Sequence, residues 1–561
     1  MYLFDGTAPE AAPGDNISLC AGTCDGSGSA TYRPNRTGSN VYWFCANRGG
    51  SSGLPITIQN YPGETVVISG DSDGNGSYAG PPDVDTLITN ACRNGIEYIT
   101  WKGNDVPGNG QEKSKGLVLE KSGGRMVTLD TVTVPAGTDY DIGGPDGWIF
   151  DGLIFRYSGS PMWNGVTPPI SFFASGCSVY DVGAAAIKVA ALTGPFTVQN
   201  SIVHSVCGFI HRNTNNDGGG GQFLFQNNEY YNAASVSEDF LNIRSSDHSQ
   251  YASFIWRGNY VHDVYGAFHP KDRTRDYIIE DNTIACLGEY KLFADGRCGD
   301  ATVVDESTSG DYTGTTYNVT IRRNKIFSVA TSPSFSTCST CPSSCCGWFL
   351  EDVIWRTTCD PAKGYCTKSG GLIENNMIWN HYSATGGECE KGAICVTSNN
   401  DDVTVRNNTI FGGNGYGISL IGSGRNYPVY NNLVMATGLE PIHTGAGYSS
   451  GTGLTFNNTW RASGNVYDGA IVKTCSQVPS FGIGNNCAQA QLLNTSGAVG
   501  LFDLHLAPGD TVDRGTGTIG PSDDVDRQFR IAPIDLGADQ ALPIDPTDTV
   551  APPAPGNLRF L

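Results

Sequence analysis

The sequence predicts an all-β solenoid, a parallel β-helix of about ten or more coils, and three observations carry that prediction. The first is a recurring turn: an apolar residue, one or two polar residues, an asparagine, then an apolar pair. It reads VQNSIV at Val198, QNNEYY at Gln226, WRGNYV at Trp256, IEDNTI at Ile279, IRRNKI at Ile321, IENNMI at Ile373, VRNNTI at Val405, VYNNLV at Val429 and TFNNTW at Thr455. The second is spacing. Aligned on Asn200, Asn228, Asn259, Asn282, Asn324, Asn376, Asn408, Asn432 and Asn458, most gaps run 23 to 32 residues, with two of 42 and 52. Units this short cannot bury a core alone and must stack. The third is composition: 73 glycines and a charged fraction of 16% suit tight turns and a weakly charged surface.

In chain order, residues 1–50, with Cys20, Cys24 and Cys45, read as an N-terminal cap over the open end of the core. SGLPITIQNYPGETVVISG, ending at Gly70, sets two β-branched runs around a Pro-Gly turn, as a coil requires. The β-helix is expected over residues 51–545, through WIFDGLIF, SFFASGCSVYDV and AAIKVA and then the Asn-marked series. Two insertions, 296–319 and the Cys-rich 327–371, are long enough to be walls or lids of a site. PIDLGADQ, ending at Gln540, reads as a closing strand, and residues 546–561 as a Pro-rich tail.

Charge and cysteine content bound the function. A formal charge of −21 argues against nucleic acid, which needs a basic footprint. The aliphatic runs are too short for a membrane span. The opening MYLFDGTAPEAAPG lacks the basic start and apolar core of a secretion signal, which fits a mature chain beginning with an added Met. Among the 18 cysteines, Cys338, Cys341, Cys345, Cys346, Cys359, Cys366, Cys389 and Cys395 crowd one loop-rich stretch. A CxxC there raises zinc, but no partner His or second CxxC has finger-like spacing, so disulfides in an oxidising compartment are the better reading. The expected protein is secreted or periplasmic, and monomeric.

Stacking the coils on their turns places AIKVA, FIHRN, FLNIR, AFHPK, KLFAD, AICVT and GISLI side by side. Alternation then sends Ile187, Leu241, Ile243, Phe268, Leu292, Ala294, Ile394 and Val396 inward. One outward column becomes Lys188, His211, Asn242, His269, Phe293, Cys395 and Ser419; the next becomes Ala190, Asn213, Arg244, Lys271, Asp295, Thr397 and Ile421. Five of the eight histidines, His204, His211, His248, His262 and His269, fall in the same coils. Clustered titratable groups on neighbouring strands are what a catalytic groove needs.

PITIQNYPGETVVISG, the repeated NNxI turns and PIDLGADQ resemble the secreted right-handed β-helix proteins of the pectate-lyase-like superfamily. That resemblance implies a polysaccharide substrate, and it covers lyases, hydrolases and tailspikes alike. Residues 237–275 are further similar in layout to alginate and dermatan lyases of polysaccharide lyase family six. Matched by position, Arg244 falls where that family has its lysine base and Lys271 where it has its arginine. The family's acidic pair falls on Ser237 and Asp239, with Glu238 between them. The resemblance implies β-elimination from a uronate. The residues' own chemistry assigns the roles the other way round from that match: Lys271 would take the C5 proton, Arg244 would hold the carboxylate, and His269 or His211 would serve as acid or second base. Asn242, Lys188 and Asp295 would bind substrate, and calcium would sit on Asp239, Glu238 and Asn213.

Two other readings remain. A hydrolase would use two of Asp295, Asp300, Asp305, Glu306, Glu351 and Asp352 as paired carboxylates. A glycan-binding adhesin would stack sugars on Trp163, Tyr230, Tyr231, Trp256 or Phe293.

Overall fold

A computed structural model describes the coil strands and adjoining bends between residues 11 and 539. Residues 1–10, 34–41, 130–145, 164–184, 214–220, 243–252, 269–275, 288–299, 307–317, 329–352, 358–370, 382–391, 398–402, 422–427, 445–454, 472–491, 508–520 and 540–561, with some shorter stretches, are not among the described residues. The chain forms two compact units, one built mainly from Met1–Asn259 and the other mainly from Asp295–Leu561 with Ala267–Tyr290. Each is a stretch of right-handed parallel β-helix, and in the first unit successive strands lie on three parallel sheets.

In the first unit, the first sheet holds Asn16–Leu19, Ile56–Asn60, Ile99–Lys102, Trp148–Asp151, Pro195–Gln199, Gln222–Gln226 and Ser253–Arg257, all parallel. Asn16–Leu19, Ser29–Tyr32 and Tyr42–Cys45 pair in parallel with the strands of the following coil. Within the expected N-terminal cap these three strands therefore stack on the next coil as coil strands do. The alternating burial of Ile56–Asn60 shows why these segments become strands: one side chain in two enters the core.

The first unit's core is aromatic. Trp148, Phe196, Phe223 and Phe254 occupy one register column, and Val198, Phe225 and Trp256 the next. Phe223 and Phe254 stack at 4.5 Å and Phe225 and Trp256 at 4.1 Å. All are buried, each contributing about 1.5–3 kcal/mol of burial. Trp163, Tyr230 and Trp256 are thus core residues, unable to stack on a sugar. In the second unit the equivalent column is aliphatic: Ile279, Ile321, Ile373, Val405 and Val429.

The bend between the first and second sheets carries the asparagine ladder. In the second unit, Asn324 Oδ1 accepts from the Asn282 backbone N–H at 3.1 Å, Asn376 Oδ1 from Asn324 at 3.0 Å, and Asn408 Oδ1 from Asn376 at 3.1 Å. Asn432 continues the series. Each Nδ2 also donates to a strand carbonyl of the preceding coil, as Asn376 does to Ile321 at 3.0 Å. In the first unit Asn259 serves Asn228, and Asn228 serves Ser201. Here the expectation for Asn200 fails. Asn200 adopts φ +53°, the left-handed position also held by Asn227, Asp281, Arg323, Asn375, Asn407 and Asn431. Ser201 takes the ladder position, its hydroxyl accepting from the Leu153 N–H at 3.1 Å.

Of PIDLGADQ, Asp535, Gly537, Ala538 and Asp539 are described, and none of them is in a strand. They lie against the ladder bend of the second unit, where the Gly537 N–H donates to the Asn431 carbonyl at 2.8 Å and the Ala538 N–H to Thr409 Oγ1 at 2.9 Å.

Candidate functional site

The sheet expected to carry chemistry is the third. In the first unit it comprises Tyr42–Cys45, Thr86–Thr89, Arg125–Leu129, Ala185–Ala190, Gly208–Asn213 and Leu241–Asn242. Ile187 and Val189 are fully buried, as alternation requires. Lys188 pairs in register with His211, and Ala190 with Asn213, both as expected. Asn242 does not join the His211 column. It pairs with Asn213, two residues further along, because Leu241 sits opposite Arg212. The sheet therefore brings together Lys188 with His211 and Asn213 with Asn242. Arg244, His269, Lys271, Asp295, Asp239 and Glu238 lie outside the described residues.

The outward column is more covered than alternation suggested. Lys188 is 8% exposed, and Cys395 and Ser419 of the second unit are fully buried. Cys395 is disulfide-bonded, as are Cys20, Cys24, Cys207 and Cys286, with Cys20 joined to Cys24. The cysteines between Cys338 and Cys366 lie outside the described residues.

Two of the clustered histidines have other surroundings. His204 is buried, stacked on Tyr231 with ring centroids 4.8 Å apart. His262 is buried beside Asp263 and stacked on Tyr260 at 4.6 Å. His204 belongs to a charged column on the second sheet that alternation on the third did not reveal. Glu120, Arg156 and His204 are register partners in successive coils. Arg156 donates to Glu120 from Nε at 2.9 Å and from Nη2 at 2.6 Å, and also pairs with Glu112. His204 Nε2 lies 3.5 Å from Glu112. The His204 ring holds the Glu112 carboxyl at about 2, against the opposing effect of burial and with help from Arg156. Glu112 is thus held ionised and is not placed to act as the protonated acid that glycoside hydrolysis needs. The sequence signal was available: LEKS, FRYS and VHSV set a polar residue at the same distance from the bend in three coils.

The second unit carries a shallow groove on its first sheet. It has a volume of about 410 Å³ and is lined by Thr320, Leu372, Thr404, Arg406 and Tyr430 among others. Arg406 donates from Nε to Glu374 at 2.8 Å and from Nη1 to the Tyr430 hydroxyl at 3.1 Å. With its charge matched, this groove offers polar contacts and no nucleophile.

No protein-family profile matches the chain, and no curated protein matches it. Among solved structures the fold is similar to the family-six alginate lyase AlyGC, with 12% identity and a TM-score of 0.40, covering 91% of this chain and 57% of that one. The chain thus spans little more than half of that enzyme. It is also similar to the family-six polysaccharide lyase Pedsa3628 from Pseudopedobacter saltans, with 10% identity, a TM-score of 0.38, and coverage of 88% and 95%. For pectate lyase Pel9A the identity is 13%, the TM-score 0.35, and the coverage 94% and 88%. Likeness at this level carries no argument about activity, and the β-helix assignment rests on the strand pairing itself.

Proposed function

We propose that the chain is a secreted polysaccharide lyase that cleaves a uronate-containing polymer by β-elimination, with the third sheet of its first unit holding part of the polymer. The observation that supports this reading is the register of that sheet. Lys188 with His211 and Asn213 with Asn242 bring polar positions together on three neighbouring strands, on the stretch of chain that runs on into Arg244.

In the proposed reaction Lys271 removes the proton from C5 of the uronate. The electron pair forms the C4–C5 double bond as the bond from C4 to the glycosidic oxygen breaks. His269 or His211 donates the proton that the leaving oxygen takes up. Arg244 holds the carboxylate, whose charge grows as the proton leaves, through two parallel hydrogen bonds. Asn242 and Asp295 bind the flanking sugars, and the covered Lys188 supports the His211 strand instead of touching substrate. Of the expected calcium ligands Asp239, Glu238 and Asn213, only Asn213 is among the described residues, so no step is assigned to the metal.

Secretion fits the disulfides at Cys20–Cys24, Cys207, Cys286 and Cys395. Among the described residues no helix is long and apolar enough to cross a membrane. The acidic charge of −21 fits a partner other than nucleic acid, and the protein acts as a monomer on its polymer.

The test is a panel of alginate, pectate, glycosaminoglycans, ulvan and neutral glycans. Unsaturated products absorbing in the ultraviolet are expected on at least one acidic polymer. Reducing ends without that absorbance would replace the lyase with a hydrolase, and binding without cleavage would replace it with an adhesin.

A further inference from the structure

We infer that the loop leaving the second sheet after Ser69 is a calcium-binding site, separate from the proposed lyase site and independent of that reading. The loop reads Asp71-Ser72-Asp73-Gly74-Asn75-Gly76, with an oxygen-bearing side chain at every second residue and glycine where the chain turns sharply. Gly74 and Gly76 hold φ +74° and +81°, which carry no steric penalty only for glycine. The loop is fixed at its base, where the Gly70 N–H donates to the Glu120 carbonyl at 3.1 Å and the Val84 N–H to the Gly70 carbonyl at 3.1 Å.

Asp71, Asp73 and Asp83 each present an oxygen, and the three oxygens lie within 4.8 Å of one another. The Asp71 side chain is 1% exposed, and its two oxygens differ. Oδ2 accepts from the Gly76 N–H at 3.0 Å and from Lys121 Nζ at 3.0 Å. Oδ1 is buried and has no hydrogen-bond partner among the described residues. A buried carboxylate oxygen without a donor costs about 1–3 kcal/mol or more, so its persistence points to a ligand on that side.

The remaining groups fit the same ligand. Asp73 Oδ1 accepts from the Asn75 N–H at 3.0 Å and Asp83 Oδ1 from the Ser72 N–H at 3.3 Å, which orients both carboxylates within the loop. Three carboxylates face the Lys121 ammonium, and the Arg33 guanidinium lies beside Gly74, so the loop keeps a net negative charge that a cation would offset. The donors are all oxygen, which selects a hard ion. An irregular loop suits the loose six-to-eight-fold shell of calcium better than the strict octahedron of magnesium. Bound there, calcium would tie the loop to the Lys121 bend.

Calcium chloride titrated calorimetrically into the chelator-stripped full chain tests this. One bound equivalent is expected, persisting in Asp239→Ala and weakened on the order of tenfold or more in Asp73→Ala and Asp83→Asn. Asp73 is exposed, so its variant folds normally. Calcium should raise the thermal midpoint of the native chain and not that of Asp73→Ala. No uptake by the native chain at about 10 mM calcium would overturn the site. So would unchanged stoichiometry and affinity in both loop variants.

Discussion

The two units share one bend and use its outer side differently. In both, a buried asparagine column turns its amides inward along the stack. In the first unit the left-handed residues just before it, Asn200 and Asn227, are exposed, and Asn200 Nδ2 donates to Asp151 at 2.7 Å on the surface. In the second unit the same positions are Asp281, Arg323, Asn375, Asn407 and Asn431, and all but the half-buried Asp281 are buried. The C-terminal segment covers them. Arg323 pairs with Asp281 at 2.7 Å and with Asp523 at 2.8 Å, and Arg527 pairs with Asp281 at 2.6 Å. Arg530 is buried and donates to Asn375 Oδ1 at 2.9 Å and to the carbonyls of Gly537, Asp535 and Asp539. The inward position is invariant in chemistry because every coil needs the same bond. The outward position is free, and the second unit uses it for docking.

The largest effect should come from removing the dock. Arg530→Met leaves carbonyls and neighbouring carboxylates without their cation, and should destabilise the second unit by about 3–5 kcal/mol in denaturant unfolding. The first unit should keep its midpoint. Loss of both transitions together would break the comparison.

The ladder should matter in both units. Asn376→Ala strands the Asn324 N–H and the Ile321 carbonyl in the core, at a cost of about 3 kcal/mol. Asn228→Ala, which strands the Ser201 N–H and the Val198 carbonyl, should cost about as much in the first unit. A change below about 1 kcal/mol at either site would deny the ladder its role.

Near neutral pH protonation should act mainly on the second unit, because Glu112 of the first is lowered from 4.5 to about 2 and takes up its proton only in acid. Burial raises Asp524 from 3.8 to about 7 and Asp539 from 3.8 to about 6. A raised folded value means that the folded state holds protons the unfolded chain has released. These two groups therefore stabilise fully below the ordinary 3.8, and that contribution is lost as pH rises through about 6 to 7. His505 resists the burial that would lower it, because Asp503 and Asp526 flank it, and it is raised from 6.5 to about 10. Its contribution is full below 6.5 and disappears only as pH passes about 10. Hydrogen exchange at Leu506, whose N–H donates to Asp539, should quicken between pH 5 and 8 beyond the intrinsic base-catalysed rise. An exchange rate that follows the intrinsic rise alone would contradict this.

The smallest effect belongs to the first unit's open bend. Asn200→Gly keeps the left-handed conformation and should change stability by less than about 1 kcal/mol. A ladder-sized loss would restore Asn200 to the column.

These contrasts explain what could be read from residues alone. Asn228, Asn376, Asn408 and Asn432 were legible because each coil repeats the same buried bond. Asn200 was misplaced because the ladder asparagine usually follows a left-handed asparagine, as in Asn227-Asn228 and Asn375-Asn376. Where a coil keeps only one of the pair, spacing cannot say which. On the third sheet, alternation placed Ile187 in the core and paired Lys188 with His211. It missed the Asn242 partner by two residues, because a two-residue slip preserves the inward and outward faces. The docking of Arg530, some 150 residues after Asn375, leaves no local signature.

The proposed lyase is tested most directly by the initial rate of ultraviolet absorbance on the acidic polymer that the native chain cleaves, measured with Lys271→Ala. Loss of the base should lower turnover by roughly 10²–10⁴-fold while the thermal midpoint and substrate affinity hold. Near-native turnover in that variant would contradict the account and move the chemistry away from the third sheet.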